Sequence, residues 1–215
     1  MLGLVGEGPL TTVLCLGAHC DDVEIGCGGT LMRLGAAHPG LAVHWVVFSG
    51  DADREGETRR AAQRLVGDAR LQLEVHRFRD GFFPFDGSAI KEQFEAVKRS
   101  VQPDLIFTHH REDRHQDHRL VAELTWNTFR DHWVLEYEIP KYDGDLGKPN
   151  VFVPLSRQVC RGKSAILMDE FASQRQRSWF SPETFEALAR LRGVECNAPE
   201  GYAEGFLGRK LTLFP

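Results

Sequence analysis

The chain has 215 residues, of which 42% are hydrophobic and 27% charged, the balance of a globular protein with a continuous core. A formal net charge of −5 gives no electrostatic reason to expect nucleic-acid binding, and no apolar run is long enough to span a bilayer. Residues 1–12 lack the cationic start of a secretory signal. Five cysteines without paired metal-ligand spacing favour reduced thiols, and therefore a cytoplasmic protein.

Short apolar strands alternate with helical patterns between residues 12 and 139. In chain order the sequence predicts strand 12–17, helix 24–37, strand 42–48, helix 54–66, strand 71–78, helix 90–101, strand 104–108, helix 120–129 and strand 133–139. This repetition predicts an α/β fold with a mostly parallel sheet and helices on both faces.

The remainder of the chain is less regular. It predicts a loop at 143–149, an extended piece at 151–155, helices at 158–173 and 182–192, and a last strand at 209–214. Internal repeats and linker-like segments are absent from the sequence, so residues 1–215 are interpreted as one domain.

Two polar clusters directly follow predicted strands, at residues 18–24 and 109–118. Ligands of parallel α/β sheets bind outside the carboxyl ends of the strands, which is where both clusters fall. Both supply imidazole and carboxylate groups, which suit a catalytic zinc with an open position better than a closed structural zinc. His109 and His110 could equally be structural or line the cavity.

The spacing within these clusters meets the needs of a metal-dependent hydrolase. His19 and Asp22 lie three residues apart on a turn and can meet one metal ion, which His118 can complete from the second cluster. Asp21 would then point elsewhere and could accept a proton from the attacking water. His115 lies three residues before His118 and would face the same cavity, where it could stabilise an oxyanion.

At these residues the chain resembles a known family. The run His-Cys-Asp-Asp-Val-Glu at 19–24 resembles the His-Pro-Asp-Asp-x-Glu signature of the LmbE-like, PIG-L-type N-acetylglucosaminyl deacetylases. Residues 114–118 resemble the family's His-x-Asp-His motif, and weaker likenesses extend through 54–65 and 202–206. The resemblance implies that residues 1–215 form a single LmbE-like deacetylase domain with a Rossmann-like α/β fold.

The resemblance also implies roles for the residues of both motifs. His19, Asp22 and His118 would hold one Zn²⁺ per chain, although these ligand types leave Fe²⁺ or another divalent metal open. Asp21 would be the general base. His115 would stabilise the tetrahedral oxyanion or protonate the departing amine.

Other residues would support this site. Asp117 would fix the tautomer of one of the two histidine ligands, and Glu24 would hydrogen-bond within the first motif or cap the helix that follows. Arg54 is a candidate for binding the substrate or the acetate product through its guanidinium fork, with an exposed arginine at a helix start as the alternative. Cys20 replaces the usual proline, so the turn should be less rigid and more sensitive to oxidation.

Together these observations predict hydrolysis of the N-acetyl amide of an amino-sugar-containing small molecule or glycoconjugate, with release of acetate. The alternatives are a metal-dependent hydrolase of another amide, an ester or a phosphoester, and a non-catalytic metal-bearing carbohydrate-binding protein. A base and an oxyanion donor, Asp21 and His115, favour the enzyme. The glycine run at 26–29 does not fit a dinucleotide-binding loop, and the sequence is compatible with a homo-oligomer.

Overall fold

The computed structural model describes residues 10–211, which form seven strands and six α-helices. The strands are β1 (Thr12–His19), β2 (Ala42–Ser49), β3 (Arg70–Val75), β4 (Leu105–His109), β5 (Trp133–Tyr137), β6 (Val151–Leu155) and β7 (Tyr202–Gly208). The helices are α1 (Asp22–Ala37), α2 (Ala52–Val66), α3 (Gly87–Ser100), α4 (Gln116–Thr128), α5 (Arg157–Glu170) and α6 (Pro182–Glu195). Two short 3₁₀ turns, Phe83–Phe85 and Ala172–Gln174, complete the secondary structure of this part of the chain.

The seven strands form one sheet in the order β3-β2-β1-β4-β5-β7-β6. The first five in this order pair in parallel, whereas β7 runs antiparallel to both β5 and β6. The prediction of a mostly parallel sheet is therefore confirmed.

Helices cover both faces of the sheet, as predicted. Val13 and Cys15 of β1 belong to a core that also contains residues of α1, α2, α5 and α6. Leu14 and Leu16 point to the opposite face and join a core built with α3 and α4. Because both faces of β1 are covered, this strand is apolar along most of its length. Among the helices within residues 10–211, none has the length and apolar character needed to cross a membrane.

The prediction of a strand at 209–214 is wrong for residues 209–211, which are not in a strand. Residues 212–214 lie outside the described residues. The strand lies earlier, at β7 (Tyr202–Gly208), and buries Glu204 in its middle. A buried carboxylate beside Gly205 interrupts the apolar alternation by which strands are recognised, which explains why the sequence pattern failed here.

Candidate active site

The two polar clusters meet at one edge of the sheet. β1 ends at His19, β4 ends at His109, and these two strands are parallel neighbours. Their carboxyl ends therefore lie side by side, with the turn at residues 20–21 following β1 and the loop at residues 110–115 following β4. This is the edge at which ligands of such sheets bind.

The three residues expected to hold a metal ion converge at this edge. His19 Nδ1 lies 3.3 Å from His118 Nε2 and 3.5 Å from Asp22 Oδ2, and His118 Nε2 lies 3.5 Å from Asp22 Oδ1. A tetrahedral zinc with ligands at ~2.0–2.1 Å would hold its donor atoms about 3.3–3.4 Å apart. All three side chains are buried, with 3–8% of each residue exposed. The imidazole and carboxylate donors suit a divalent cation, and the two histidines approach different oxygens of Asp22.

His19 is held by a carboxylate on the far side of its ring. Its Nε2 lies 3.2 Å from Oδ2 of Asp117, which also accepts a hydrogen bond from the backbone amide of Gly81 (2.6 Å), while Oδ1 of Asp117 accepts the Phe83 amide (3.1 Å). Asp80 Oδ1 approaches the same Nε2 at 3.0 Å. Burial alone would lower the pKa of His19, but the carboxylates around it raise this pKa well above its usual value. These carboxylates therefore favour positive charge at His19.

His118 is held in the same way by a residue that the sequence reasoning missed. Asp113 Oδ2 lies 2.9 Å from His118 Nδ1, which leaves His118 Nε2 for the metal. The other oxygen of Asp113 accepts the His115 amide at 2.7 Å. Lys141 donates to Asp113 Oδ2 at 3.0 Å and also binds Asp145 at 2.6 Å. Asp113 belongs to the second polar cluster and could have been suspected from its neighbours, whereas Lys141 offered no local signal.

Asp21 occupies a strained and buried position between the ligands. Its φ of 108° lies in the left-handed region that favours glycine, and its side chain makes no capping hydrogen bond although it precedes α1. It is 5% exposed. Burial raises the pKa of Asp21 to about 7, with Arg54 opposing the rise and Asp22 adding to it. Strain of this kind is typical of functional positions, and a carboxyl with a pKa near neutrality suits proton transfer.

Arg54 contacts the Asp21 turn directly. Its guanidinium lies 3.1 Å from Asp21 Oδ1 and donates a hydrogen bond to the backbone carbonyl of Cys20. The side chain is 20% exposed. The structure thus adds an ion pair with Asp21 to the substrate-binding role predicted for Arg54.

His115 stands at the start of α4 beside both histidine ligands. Its ring centroid lies 4.5 Å from that of His118 and 5.0 Å from that of His19. His115 Nδ1 accepts the Asp117 amide at 3.3 Å, so the neutral ring carries its proton on Nε2. Burial, followed by the nearby His118 and His19, lowers the pKa of His115 and keeps it neutral. A neutral imidazole with a free Nε2–H is a hydrogen-bond donor.

Two further residues of the clusters are buried behind the site. Glu24 is fully buried, and neither carboxyl oxygen has a hydrogen-bond partner among the described residues. Burial raises the pKa of Glu24 to about 8, so it is mostly protonated at neutral pH. His109 is also fully buried; its Nε2 accepts the Ala18 amide at 2.9 Å and lies 3.2 Å from Asp22 Oδ2. His109 therefore contacts Asp22, one of the metal-ligand candidates. The hydrogen bond or helix cap expected of Glu24 is not found among the described residues.

The Cys20 thiol is directed away from the metal-ligand candidates. An added Cβ at Gly50 would meet its sulfur at 2.5 Å, so the thiol packs against the end of β2 rather than facing His19. Cys20 is fully buried, and burial raises the pKa of its thiol to about 12. The expected sensitivity to oxidation is not supported, because oxidation requires an accessible thiolate.

The fold and the histidine–carboxylate cluster define the class of protein, an α/β protein with a candidate metal site at the carboxyl edge of its sheet. Residues 14–129 match the family PIG-L, GlcNAc-PI de-N-acetylase. The Escherichia coli K12 protein named "uncharacterized deacetylase YaiS" is 31% identical over 140 residues, which cover 60% of this chain and 74% of that protein. The chain belongs to the PIG-L family and is a deacetylase enzyme.

Solved structures share the fold across nearly the whole chain. The conserved protein TT1542 from Thermus thermophilus has a TM-score of 0.74 at 23% identity, covering 94% of this chain and 96% of that one. N,N'-diacetylchitobiose deacetylase from Pyrococcus horikoshii has a TM-score of 0.72 at 20% identity, with 95% and 88% covered. The 4-carboxy-2-hydroxymuconate hydratase GalB from Pseudomonas putida also scores 0.72 at 20% identity, with 96% and 99% covered. The fold alone therefore does not select the reaction.

Proposed function

We propose that this enzyme hydrolyses the N-acetyl amide of an amino-sugar-containing small molecule or glycoconjugate and releases acetate. The observation that carries the proposal is the convergence of His19, Asp22 and His118, whose donor atoms lie 3.3–3.5 Å apart, with the strained Asp21 beside them. The family match supports removal of an acyl group from an amine.

His19, Asp22 and His118 would hold one divalent ion, for which Zn²⁺ is the first choice and Fe²⁺ the alternative. When bound, such an ion polarises the amide carbonyl and makes water more acidic. The Asp117 and Asp113 carboxylates hold the outer nitrogens of the two imidazoles, so His19 Nδ1 and His118 Nε2 would be the nitrogens that face the ion.

Asp21 would act as the general base. Burial gives it a pKa of about 7, so the ionised form is available near neutral pH and can take a proton from the attacking water. The oxygen of that water then forms the new bond to the acyl carbon. Arg54, 3.1 Å from Asp21, would hold the carboxylate in place.

His115 would stabilise the oxyanion that forms from the carbonyl. Its Nε2–H can donate a hydrogen bond to the oxyanion as the carbonyl becomes tetrahedral. The C–N bond then breaks, and the departing amine takes up the proton that Asp21 received from the water. The products are acetate and the free amine.

The substrate class rests on the relatives. One structural relative is a diacetylchitobiose deacetylase, and another is a deacetylase of A40926 pseudoaglycone, so different molecules are deacetylated on this fold. Two exposed aromatic side chains, Phe82 and Phe85, lie in the segment that follows Gly81, whose amide binds Asp117. The Phe82 ring carries the Arg79 guanidinium 3.5 Å from its centroid, so Phe85 would offer the face on which a sugar ring can stack.

Metal content and acetate release together test the proposal. The purified protein should carry about one zinc per chain and release acetate from N-acetyl amino sugars, and a chelator should abolish the release. Asp22→Asn should lose the metal, whereas Asp68→Asn, a matched change of an exposed aspartate, should keep metal and activity. Metal binding with release of phosphate, or of an acid other than acetate, would establish one of the alternative hydrolases. Failure of the wild type to bind metal after reconstitution would refute the proposed chemistry.

A further inference from the structure

Helix α1, which begins with Asp22, is broken one turn later. Cys27 has φ −140° and ψ 15°, values outside the helical region. In an unbroken α-helix the amides of Gly29 and Thr30 would donate to the carbonyls of Ile25 and Gly26. Here the amides of Gly29 and Thr30 donate to the Glu204 carboxylate at 2.9 and 2.6 Å. The break therefore separates a short first segment, residues 22–26, from the rest of the helix.

A buried ion pair fills this break. Lys163 of α5 donates to the carbonyl of Ile25 and lies 2.7 Å from Oε1 of Glu204, which comes from β7. Lys163 and Glu204 are 8% and 6% exposed. The ammonium thus satisfies the acceptor on one side of the break, and the carboxylate satisfies the donors on the other. Thr30 adds a hydroxyl hydrogen bond to Glu204 at 2.6 Å.

Two glycines of α1 permit the close approaches around the pair. An added Cβ at Gly29 would lie 2.7 Å from Leu155 Cδ1 and 3.0 Å from Glu204 Oε1, so the glycine leaves room for the carboxylate. An added Cβ at Gly26 would overlap the ring of Tyr137, which packs against the first segment. The desolvation of two buried charges largely offsets their attraction, so overall stability is a weak reason for this pair to exist.

We propose that Lys163 and Glu204 are positioning residues for the active-site turn, a role that rests on the proposed function. One helical turn cannot maintain its own geometry in isolation. The segment 22–26 is fixed at its beginning by the His19 amide, which donates to Asp22 Oδ2 at 2.6 Å. Lys163 fixes its other end at Ile25. Together these contacts hold Asp22 and the strained Asp21 in register with His118.

The test compares Lys163→Met with Arg192→Met. Arg192 forms a second buried ion pair, 2.6 Å from Glu138, and its hydrogen bonds go to Glu138, Glu195 and the Gly147 carbonyl rather than to α1. Both variants should lower the melting temperature. In metal-free protein, Lys163→Met should accelerate amide hydrogen exchange in residues 22–30 about tenfold or more, and Arg192→Met should not. Zinc affinity, measured by chelator competition, should fall about tenfold only in Lys163→Met.

Kinetics separate positioning from a general loss of stability. Well below the melting temperature, Lys163→Met should lower kcat with little change in KM, and Lys163→Arg should restore part of it. Glu204→Gln keeps an acceptor for one amide and should give a smaller effect of the same kind. It also replaces Lys163→Met in all assays if that variant does not fold.

The results distinguish the two proposals. Normal exchange in residues 22–30, or normal kcat and zinc affinity, in a Lys163→Met or Glu204→Gln variant that has lost thermal stability would overturn the positioning role. That result would leave the deacetylase function intact if the wild type releases acetate. Faster exchange and weaker zinc binding in a protein whose wild type releases no acetate would support the positioning role and refute the proposed reaction.

Discussion

The two loops that build the site hold their residues by different means. The turn after β1 has only two residues, 20–21, and places Asp21 at a φ of 108° with its carboxyl buried. The loop after β4, residues 110–115, is longer and is fixed by hydrogen bonds that extend through Asp113 to Lys141 and Asp145. A strained turn has few alternative conformations, whereas in a hydrogen-bonded network the remaining contacts compensate in part when one is removed. Substitutions in the first loop should therefore have large effects on activity, and those in the second should have effects that decrease with distance from the histidines.

The largest expected effect comes from the strained turn itself. Asp21→Asn removes the base but keeps the size and the polar character of the side chain. We expect kcat to fall by about 10²–10⁴-fold with zinc still bound, because general-base catalysis contributes on that order. Steady-state acetate release measures kcat, and metal analysis of the same preparation measures the bound zinc. Activity near that of the wild type would show that another group accepts the proton.

The second prediction concerns the carboxylates behind the histidines. Asp113→Asn and Asp117→Asn should each weaken zinc binding by about 10–100-fold, because each removes the partner that fixes an imidazole tautomer. Chelator competition gives the affinities. If the Asp113 network distributes its loss, Asp113→Asn should be the milder of the two. Equal losses of zinc affinity would show that the contacts of Asp113 with Lys141 and the His115 amide do not lessen the effect of its substitution.

Substitution of Arg54 distinguishes a role in holding Asp21 from a role in binding the substrate. Arg54→Met removes the guanidinium 3.1 Å from Asp21. If Arg54 holds the base, kcat should drop about tenfold with KM nearly constant. If it binds substrate, KM should rise with kcat nearly constant. Arg54→Lys keeps the charge without the fork and should recover most of a purely electrostatic effect.

A smaller effect is expected for Lys141, which contacts His118 only through Asp113. Lys141→Met should weaken zinc binding and lower kcat only a few-fold, because Asp113 keeps its contacts with His118 and with the His115 amide. Lys148→Met, an exposed lysine in the same segment, is the matched control and should behave as the wild type. If Lys141→Met lowered zinc affinity as much as Asp113→Asn, the effect of a substitution would not decrease with distance from His118, contrary to the prediction.

The smallest expected effect is chemical modification of the cysteines. Cys15, Cys20, Cys27, Cys160 and Cys196 are all buried and unpaired. A thiol-alkylating reagent should therefore label native protein slowly and leave kcat unchanged, while unfolded protein should be labelled on all five thiols. Rapid inactivation with modification of Cys20 would show that the first turn opens in solution.

The sequence predicted those features of the site that depend on residues close together in the chain. Asp21 and Asp22 are adjacent, His115 and His118 are one turn apart, and the strands that bring the two clusters together have a clear apolar pattern. The mostly parallel sheet could be predicted for the same reason.

Features that depend on distant parts of the chain could not be predicted in this way. Lys141 reaches Asp113 across 28 residues, and Lys163 reaches Glu204 across 41. Buried charges break the hydrophobic pattern instead of adding to it, and they can be recognised only once their partners are known. The misplaced last strand has the same origin, since Glu204 lies in its middle.

The position of β7 also has a consequence for how the polypeptide matures. β7 lies between β5 and β6, although it is made after both. While the chain is being synthesised, β5 lacks the neighbour with which Leu135 will pair through Gly208, and β6 precedes its partner in the described sheet. Unpaired strand edges of this kind invite association with other chains. A nascent chain that already contains every metal-ligand candidate would thus remain dependent on protection from aggregation until β7 joins the sheet.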